Sequence, residues 1–139
     1  MPGKVCFVDS VCWIALLNKT EQIHQQADTE YKRLLKKGYH LITTTAVLNE
    51  TANSLCAPQF RVAVSNFYRR IQASMRIDVV FVDESLWEAG WQLYEQHNDK
   101  EWSLTDCISM MIMNEHNTSE VLSTDHHFEQ AGFVRLLHL

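Results

Sequence analysis

Short continuous apolar runs alternate with longer amphipathic segments along the chain, and this alternation limits the possible folds more than any other feature. The first run, residues 5–8, is typical of a strand buried on both faces, as in a parallel sheet. Residues 13–17 then follow with helical spacing. The same reasoning predicts further strands at residues 39–43, 76–82, 120–123 and 134–137.

Helical periodicity fills the connections between these strands. Residues 21–37 and 61–74 are predicted helices, and the helix that begins after Asp83 has one inward-facing stripe consisting of Leu86, Ala89, Gly90, Leu93 and Tyr94. The predicted order is β-α-α-β-α-α-β-α-α-β-α-β. It indicates a three-layer α/β/α sandwich around a mostly parallel central sheet of about five strands, in a single domain spanning residues 1–139.

The composition narrows the class of protein. With 46% hydrophobic and 21% charged residues, the chain is typical of a globular protein. Its apolar runs are too short to span a bilayer and its N-terminus lacks the segments of a signal peptide, so we expect a cytoplasmic protein without a membrane partner. The net charge of −5 argues against a nucleic-acid binder that uses a broad basic surface, but not against one whose acids surround metal ions.

The four cysteines form no C-x-x-C pair, and each lies in an apolar context. This pattern favours buried free thiols over a zinc site or disulfides. The four are Cys6, Cys12, Cys56 and Cys107.

The segment from residue 102 to residue 113 places an acid where a largely buried helix begins. Ser103 offers a capping oxygen, and Asp106 falls in the first turn with no Lys or Arg near it in the sequence. A solvated first-turn Asp would explain this acid if it stood alone. Trp102 either stacks on a base or packs at the core, and packing is the more common role.

Three more acids are predicted at the edge where this helix begins. Asp9 follows the first strand, Asp125 follows the fourth, and Glu50 lies on the helix after the second strand. The carboxyl ends of parallel strands share one edge, which is where ligands bind in such sheets. Asp9 or Ser10 could instead cap the helix that begins there, as Asp83 is expected to do after the third strand.

Crowding four carboxylates would be costly without a compensating charge. Two like charges ~4 Å apart repel by about 4 kcal/mol at an effective dielectric constant near 20. Divalent cations remove this repulsion, and oxygen ligands favour Mg²⁺ or Mn²⁺ over zinc. Such sites activate water and neutralise phosphate charge, so hydrolysis of a phosphodiester is the expected reaction.

Two other polar groups have alternative explanations. His126 and His127 could indicate a transition-metal site, but adjacent histidines beside a loop are more often exposed or support a neighbouring ligand. A positive cluster on the second helix either contacts an RNA backbone or forms a solvated helix face, and the second is more common. The cluster consists of Lys32, Arg33, Lys36 and Lys37.

The four acids lie in short motifs whose order and spacing resemble those of a PIN domain from about Lys4 to the C-terminus. The motifs are Val8-Asp9-Ser10, Leu48-Asn49-Glu50, Leu104-Thr105-Asp106 and Ser123-Thr124-Asp125-His126-His127-Phe128. The resemblance implies a metal-dependent ribonuclease acting on RNA. It also implies that many relatives are VapC-like toxins, often homodimers, silenced by a small antitoxin whose tail occupies the site.

Carried over to this chain, the resemblance implies roles for individual residues. Asp9 and Asp106 would be the principal metal ligands, while Glu50 and Asp125 would complete the site directly or through water. Two hydroxyl groups, those of Ser10 and Ser123, would orient water or a ligand carboxylate. Val11 departs from the pattern, because many relatives have a small polar residue there.

The main alternative is a PIN-like module that has kept its acids but binds nucleic acid or supports assembly without significant turnover. Other α/β classes fit less well. A haloacid-dehalogenase-like phosphatase would need an Asp where Val11 stands, and nucleotide-binding folds need glycine-rich turns. A receiver domain would use Asp83, but it also requires paired acids after the first strand and a Lys after the last.

Overall fold

The computed structural model describes residues 3–139, and its strands and helices alternate in the predicted order. Met1 and Pro2, which the predicted domain includes, lie outside the described residues. The elements are β1 (Val5–Val8), α1 (Ser10–Leu17), α2 (His24–Lys36), β2 (His40–Thr44), α3 (Thr45–Ser54), α4 (Pro58–Ala73), β3 (Ile77–Val80), α5 (Glu84–Gln96), α6 (Leu104–Glu115), β4 (Glu120–Leu122), α7 (His126–Gln130) and β5 (Val134–Arg135).

The five strands form one sheet in the order β3-β2-β1-β4-β5, and every pairing is parallel. The prediction of a mostly parallel sheet of about five strands is therefore confirmed. From β1 the chain moves first to β2 and β3 on one side and later to β4 and β5 on the other. The two halves of the sheet thus meet between β1 and β4, which is the type of position where open α/β sheets bind ligands.

The helices form the outer two layers. Right-handed crossovers place α1 to α4 on one face of this sheet and α5 to α7 on the other. In agreement, α1 packs against α2, α3 and α4, while α6 packs against α5 and α7. Trp13 lies in the core, where its ring contacts Tyr31 and Phe67 and its Nε1 donates a hydrogen bond to Thr43 Oγ1 at 3.2 Å. Within residues 3–139, no helix is long and apolar enough to cross a membrane.

Three local predictions of burial were wrong, because the sequence does not show which elements pack against a given residue. Residues 76–82 were expected to form a strand buried on both faces, but β3 is an edge strand and Asp78 is exposed. Cys56 is exposed in the link between α3 and α4, whereas the other three cysteines are buried as expected. Tyr94 was assigned to the inward stripe of α5 but is 44% exposed.

Proline and capping residues mark several helix boundaries. Pro58 is the first residue of α4, where its missing N–H is not needed, so it begins a helix as well as separating it from α3. Asp83 caps α5 as predicted, because its side chain accepts a hydrogen bond from the backbone N–H of Leu86.

Candidate active site

Asp9 lies at the end of the central strand β1 and is only 4% exposed. The register of β1 and β4 pairs Val8 with Leu122, so Ser123 lies beside Asp9 and donates a hydrogen bond from Oγ to Asp9 Oδ2 at 2.8 Å. The Asp9 side chain makes no capping hydrogen bond to α1. The capping explanation for this acid is therefore wrong, and its carboxylate is oriented by the neighbouring strand end.

Glu50 reaches the same edge from α3, which begins directly after β2. Its Oε1 accepts a hydrogen bond from Ser10 Oγ at 3.2 Å. Ser10 is the first residue of α1, so its hydroxyl joins the helix that follows β1 to the helix that follows β2. The half-buried Glu50 carboxylate thus extends from α3 to the sheet edge, as expected from the sequence.

Asp106 lies at the N-terminus of α6 and is 7% exposed. Ser103 and Asp106 form a capping box, in which Ser103 Oγ accepts from the Asp106 N–H at 3.0 Å and Asp106 Oδ2 accepts from the Ser103 N–H at 3.1 Å. The predicted helix start and its cap are confirmed. The capping box also fixes where the Asp106 carboxylate lies.

Asp125 follows β4 and caps the short helix α7 by accepting a hydrogen bond from the His127 N–H at 2.9 Å. The ring of His127 connects this acid to the start of α6. Its Nδ1 lies 3.0 Å from Asp106 Oδ2 and 3.2 Å from Asp125 Oδ1. One imidazole nitrogen is therefore shared by two of the predicted site carboxylates.

His127 was not among the predicted site residues, although adjacent histidines beside a loop were expected to be exposed or to support a neighbouring ligand. Its neighbour His126 is exposed, so the two histidines differ in environment. One ligand atom from each of Asp125, His126 and His127 lies within 4.8 Å of the other two. The contact of His127 with Asp106 spans 21 positions, and no local pattern signals it.

Burial and mutual repulsion raise the pKa of the most buried acid. Burial raises the pKa of Asp9 from 3.8 to about 7, the hydrogen bond from Ser123 lowers it, and the charge of Asp106 raises it. The charge of Glu50 also raises it. Acids from three separate elements are thus close enough to repel one another.

In two of the other acids, burial and neighbouring charges also raise the pKa while hydrogen bonds lower it. Burial raises the pKa of Glu50, against the hydrogen bond from Ser10, and the charges of Asp106 and Asp125 raise it further. Burial also raises the pKa of Asp106, where the contact with His127 opposes the shift and the charge of Asp125 adds to it. All four predicted acids are therefore electrostatically linked.

No Lys or Arg among residues 3–139 forms an ion pair with any of these four acids. The donor set consists of carboxylate oxygens, which is the set that Mg²⁺ and Mn²⁺ prefer. A divalent cation would also remove the repulsion that raises the pKa values. These carboxylates have the donor chemistry that such an ion requires, and the residues that would hold it are Asp9, Glu50, Asp106 and Asp125.

The fold and the site define an α/β protein with a cluster of carboxylates at the carboxyl edge of a parallel sheet, near the position where its two halves meet between β1 and β4. The family model described as "PIN domain" matches residues 6–134. The chain belongs to the PIN-domain family, as its motifs indicated.

Named relatives agree with this membership. Two proteins, each described as "23S rRNA-specific endonuclease VapC20", come from Mycobacterium tuberculosis strains CDC 1551 / Oshkosh and ATCC 25618 / H37Rv. Each is 31% identical over 134 residues, with 94% of this chain and 96% of the relative covered. A crystal structure described as Mycobacterium tuberculosis VapC20, "Sarcin-Ricin loop cleaving toxin", has a TM-score of 0.77 and 28% identity, and covers 98% of this chain and 100% of that one.

Proposed function

We propose that this chain is a ribonuclease that uses Mg²⁺ or Mn²⁺ to hydrolyse RNA phosphodiester bonds as a single nuclease domain. The observation that carries the proposal is the convergence of four carboxylates without a basic counter-ion, in a chain of the PIN-domain family. A cluster of this kind gains little for folding, because burial and repulsion both disfavour its charges. A catalytic role therefore explains the presence of this cluster better than a role in stabilising the fold.

The proposed roles follow burial and contacts. Asp9 and Asp106, the most buried acids, hold the ion, and Glu50 and Asp125 complete the site directly or through water. A bound Mg²⁺ or Mn²⁺ would neutralise charge on the phosphate oxygens and activate the attacking water for in-line displacement. The ligand carboxylates must be deprotonated to bind the ion.

Two hydroxyl groups and one imidazole position these ligands. Ser123 orients Asp9 and Ser10 orients Glu50, each through one hydrogen bond. His127 holds the carboxylates of Asp106 and Asp125 toward a shared nitrogen. Mutation of side chains that orient metal ligands in this way typically lowers metal affinity or activity by about 10-fold to 100-fold.

The relatives suggest a substrate and a setting. Because two of them are described as 23S rRNA-specific endonucleases, and the solved structure as a toxin that cleaves the sarcin–ricin loop, ribosomal RNA is the first substrate to test. We place the chain in the cytoplasm as the toxin of a toxin–antitoxin pair, acting as a homodimer and silenced by a small antitoxin protein. The toxin assignment follows the description of the solved structure, the homodimer and the antitoxin follow from the resemblance to VapC-like proteins, and the location follows from the sequence.

The test is cleavage of a ribosomal stem-loop RNA and of unstructured RNAs by the purified protein with Mg²⁺, with Mn²⁺ and with a chelator. Asp106→Asn should abolish cleavage, because an amide cannot supply the ligand charge. Asp83→Asn is the matched control: Asp83 also lies at a strand-to-helix junction, but it is exposed and only caps α5, a role that Asn fulfils equally well.

Cleavage that persists in chelator, or full activity of Asp106→Asn, would contradict the proposal. Metal-dependent binding of RNA without cleavage of any RNA would favour the alternative of a binding module. Activity in the wild type and in Asp83→Asn, with its loss in Asp106→Asn, is the expected result.

A further inference from the structure

A pocket of about 830 Å³ lies where α5 ends and α6 begins. Its volume falls in the range of about 300–1,000 Å³ that is typical of small-molecule sites. It lies beside the four acids of the candidate active site rather than among them. Its lining includes Trp91, Tyr94, Glu95, Glu101, Trp102 and Ser103.

Two aromatic rings on α5 are accessible in this pocket. Trp91 is 38% exposed and Tyr94 is 44% exposed. Their ring centroids lie 5.3 Å apart in an edge-to-face arrangement. Rings of this size are usually buried, so two of them open to solvent in one pocket suggest a planar apolar ligand.

Trp102 has a different environment and forms a fixed wall of the pocket. It is 7% exposed, its Nε1 donates to Gln130 Oε1 at 2.9 Å, and its ring packs on His97 with centroids 4.7 Å apart. The prediction that Trp102 packs rather than stacks on a base is confirmed. The rings of this pocket that are exposed enough to stack on a ligand are therefore those of Trp91 and Tyr94.

The pocket lies next to the start of α6, where Asp106 is located. Ser103 lines it, and the same residue exchanges two hydrogen bonds with Asp106 in the capping box. Ser103 and this candidate metal ligand are three positions apart, a rise of about 4.5 Å along the helix. A nucleic-acid strand with a phosphate at the acids can therefore place a neighbouring base in the pocket.

The charges around the pocket favour a base over a phosphate. Glu95 and Glu101 line it, while the ammonium of Lys100 is paired with Asp99 Oδ2 at 2.9 Å. Carboxylates repel phosphate but accept hydrogen bonds from the N–H groups of bases. Guanine presents two adjacent donors on its Watson–Crick edge, which suits the two oxygens of a carboxylate.

We propose that this pocket binds an unpaired base of the RNA substrate, guanine in preference to uracil. The base stacks on the face of one exposed ring, Trp91 or Tyr94, and its edge contacts the other ring, which is inclined at 73° to the first. This inference rests on the proposed ribonuclease function and adds a specificity determinant to it. Stacking on a protein ring requires an unpaired base, because the faces of a paired base are covered by its neighbours in the duplex. The pocket would therefore select the loop of a stem-loop RNA, or a single strand.

The experiment measures the affinity of a short uridine-rich single-stranded RNA with one central guanine, by fluorescence anisotropy with Mg²⁺. All proteins carry Asp9→Asn, which is expected to prevent cleavage and lies outside the pocket. Trp91→Ala and Tyr94→Ala should each weaken binding about 5-fold to 150-fold, the equivalent of the ~1–3 kcal/mol of one base–aromatic stack. Tyr94→Phe should bind as tightly as its parent, because it retains the ring.

Phe81→Ala is the matched control. Phe81 is an aromatic residue that lies between β3 and α5, is 64% exposed and does not line the pocket, so its removal should leave RNA affinity unchanged. Replacing the central guanine of the RNA by uracil should weaken binding to the parent protein. It should have little further effect in Trp91→Ala, in which the stack is already lost.

The outcomes separate this inference from the proposed function. If the wild type cleaves RNA with metal but Trp91→Ala and Tyr94→Ala bind like Phe81→Ala, the pocket is not a base site and the nuclease assignment stands. If the protein neither binds nor cleaves RNA, both are wrong. If Trp91→Ala converts a dimer to a monomer in sedimentation without changing RNA affinity, the rings contact a second copy instead, and the inference is overturned.

Discussion

Replacing Asp9 by asparagine is expected to stabilise the metal-free protein at pH 8. Asp9 is 4% exposed, and its pKa rises from 3.8 to about 7 because burial disfavours its charge and nearby acids repel it. That rise corresponds to about 4 kcal/mol of destabilisation once the carboxylate is fully ionised. The asparagine NH₂ group, if left unpaired, costs about 1–3 kcal/mol, so the expected net gain is about 1–3 kcal/mol.

The effect depends on pH with a definite sign. Below pH 3.8 Asp9 is protonated in both the folded and unfolded states and carries no penalty. Between 3.8 and about 7 the folded state holds the proton more tightly, so the free energy of unfolding falls as pH rises, and above about 7 the full penalty is present. Asp9→Asn should remove this pH dependence, and its advantage should shrink to near zero at pH 5.

The assay is urea denaturation with chelator at several pH values between 5 and 8. Asp83→Asn is again the control, and it should match the wild type at every pH because its side chain is an exposed cap. Adding Mn²⁺ at pH 8 should stabilise the wild type by mass action but have little effect on Asp9→Asn. An Asp9→Asn protein that is no more stable than the wild type at pH 8, with the same pH slope, would refute the reasoning.

Two further substitutions test the residues that position the site. His127→Gln should weaken metal affinity about 10-fold to 100-fold without unfolding the protein, because the imidazole joins Asp106 and Asp125; an unchanged metal concentration for half-maximal cleavage would argue against this role. Ser103→Ala should lower the free energy of unfolding by about 1 kcal/mol through loss of the α6 cap, as measured by urea denaturation. Ser85→Ala, at an exposed position of α5, is its control, and equal stability of the two variants would contradict the capping argument.

The strand ends could be predicted because the signals for them are local. An apolar run that stops at Asp9, or at Ser123 shortly before Asp125, places an acid at the carboxyl edge of any parallel sheet that forms. Glu50 could be predicted from the reach of its side chain, since α3 begins at the same edge. The order of elements followed from the same alternation of patterns.

Features that depend on non-local contacts could not be predicted. The position of β3 at the sheet edge depends on which strands pair, and the apolar run alone does not indicate its partners. The contact between His127 and Asp106 joins two elements far apart in the sequence. Tyr94 has the helical spacing of a core residue, yet it is exposed where α5 ends, because no element covers its outer face within the described chain.

Calorimetric titration of Mn²⁺ into the wild-type protein and into single variants of the four acids shows whether these acids hold a metal ion. We predict that the wild type binds the ion, that Asp83→Asn binds it equally well, and that each site variant binds it more weakly, with the largest losses for the two most buried acids. Absence of binding to the wild type, or equal affinity in all site variants, would contradict it. The site variants are Asp9→Asn, Glu50→Gln, Asp106→Asn and Asp125→Asn.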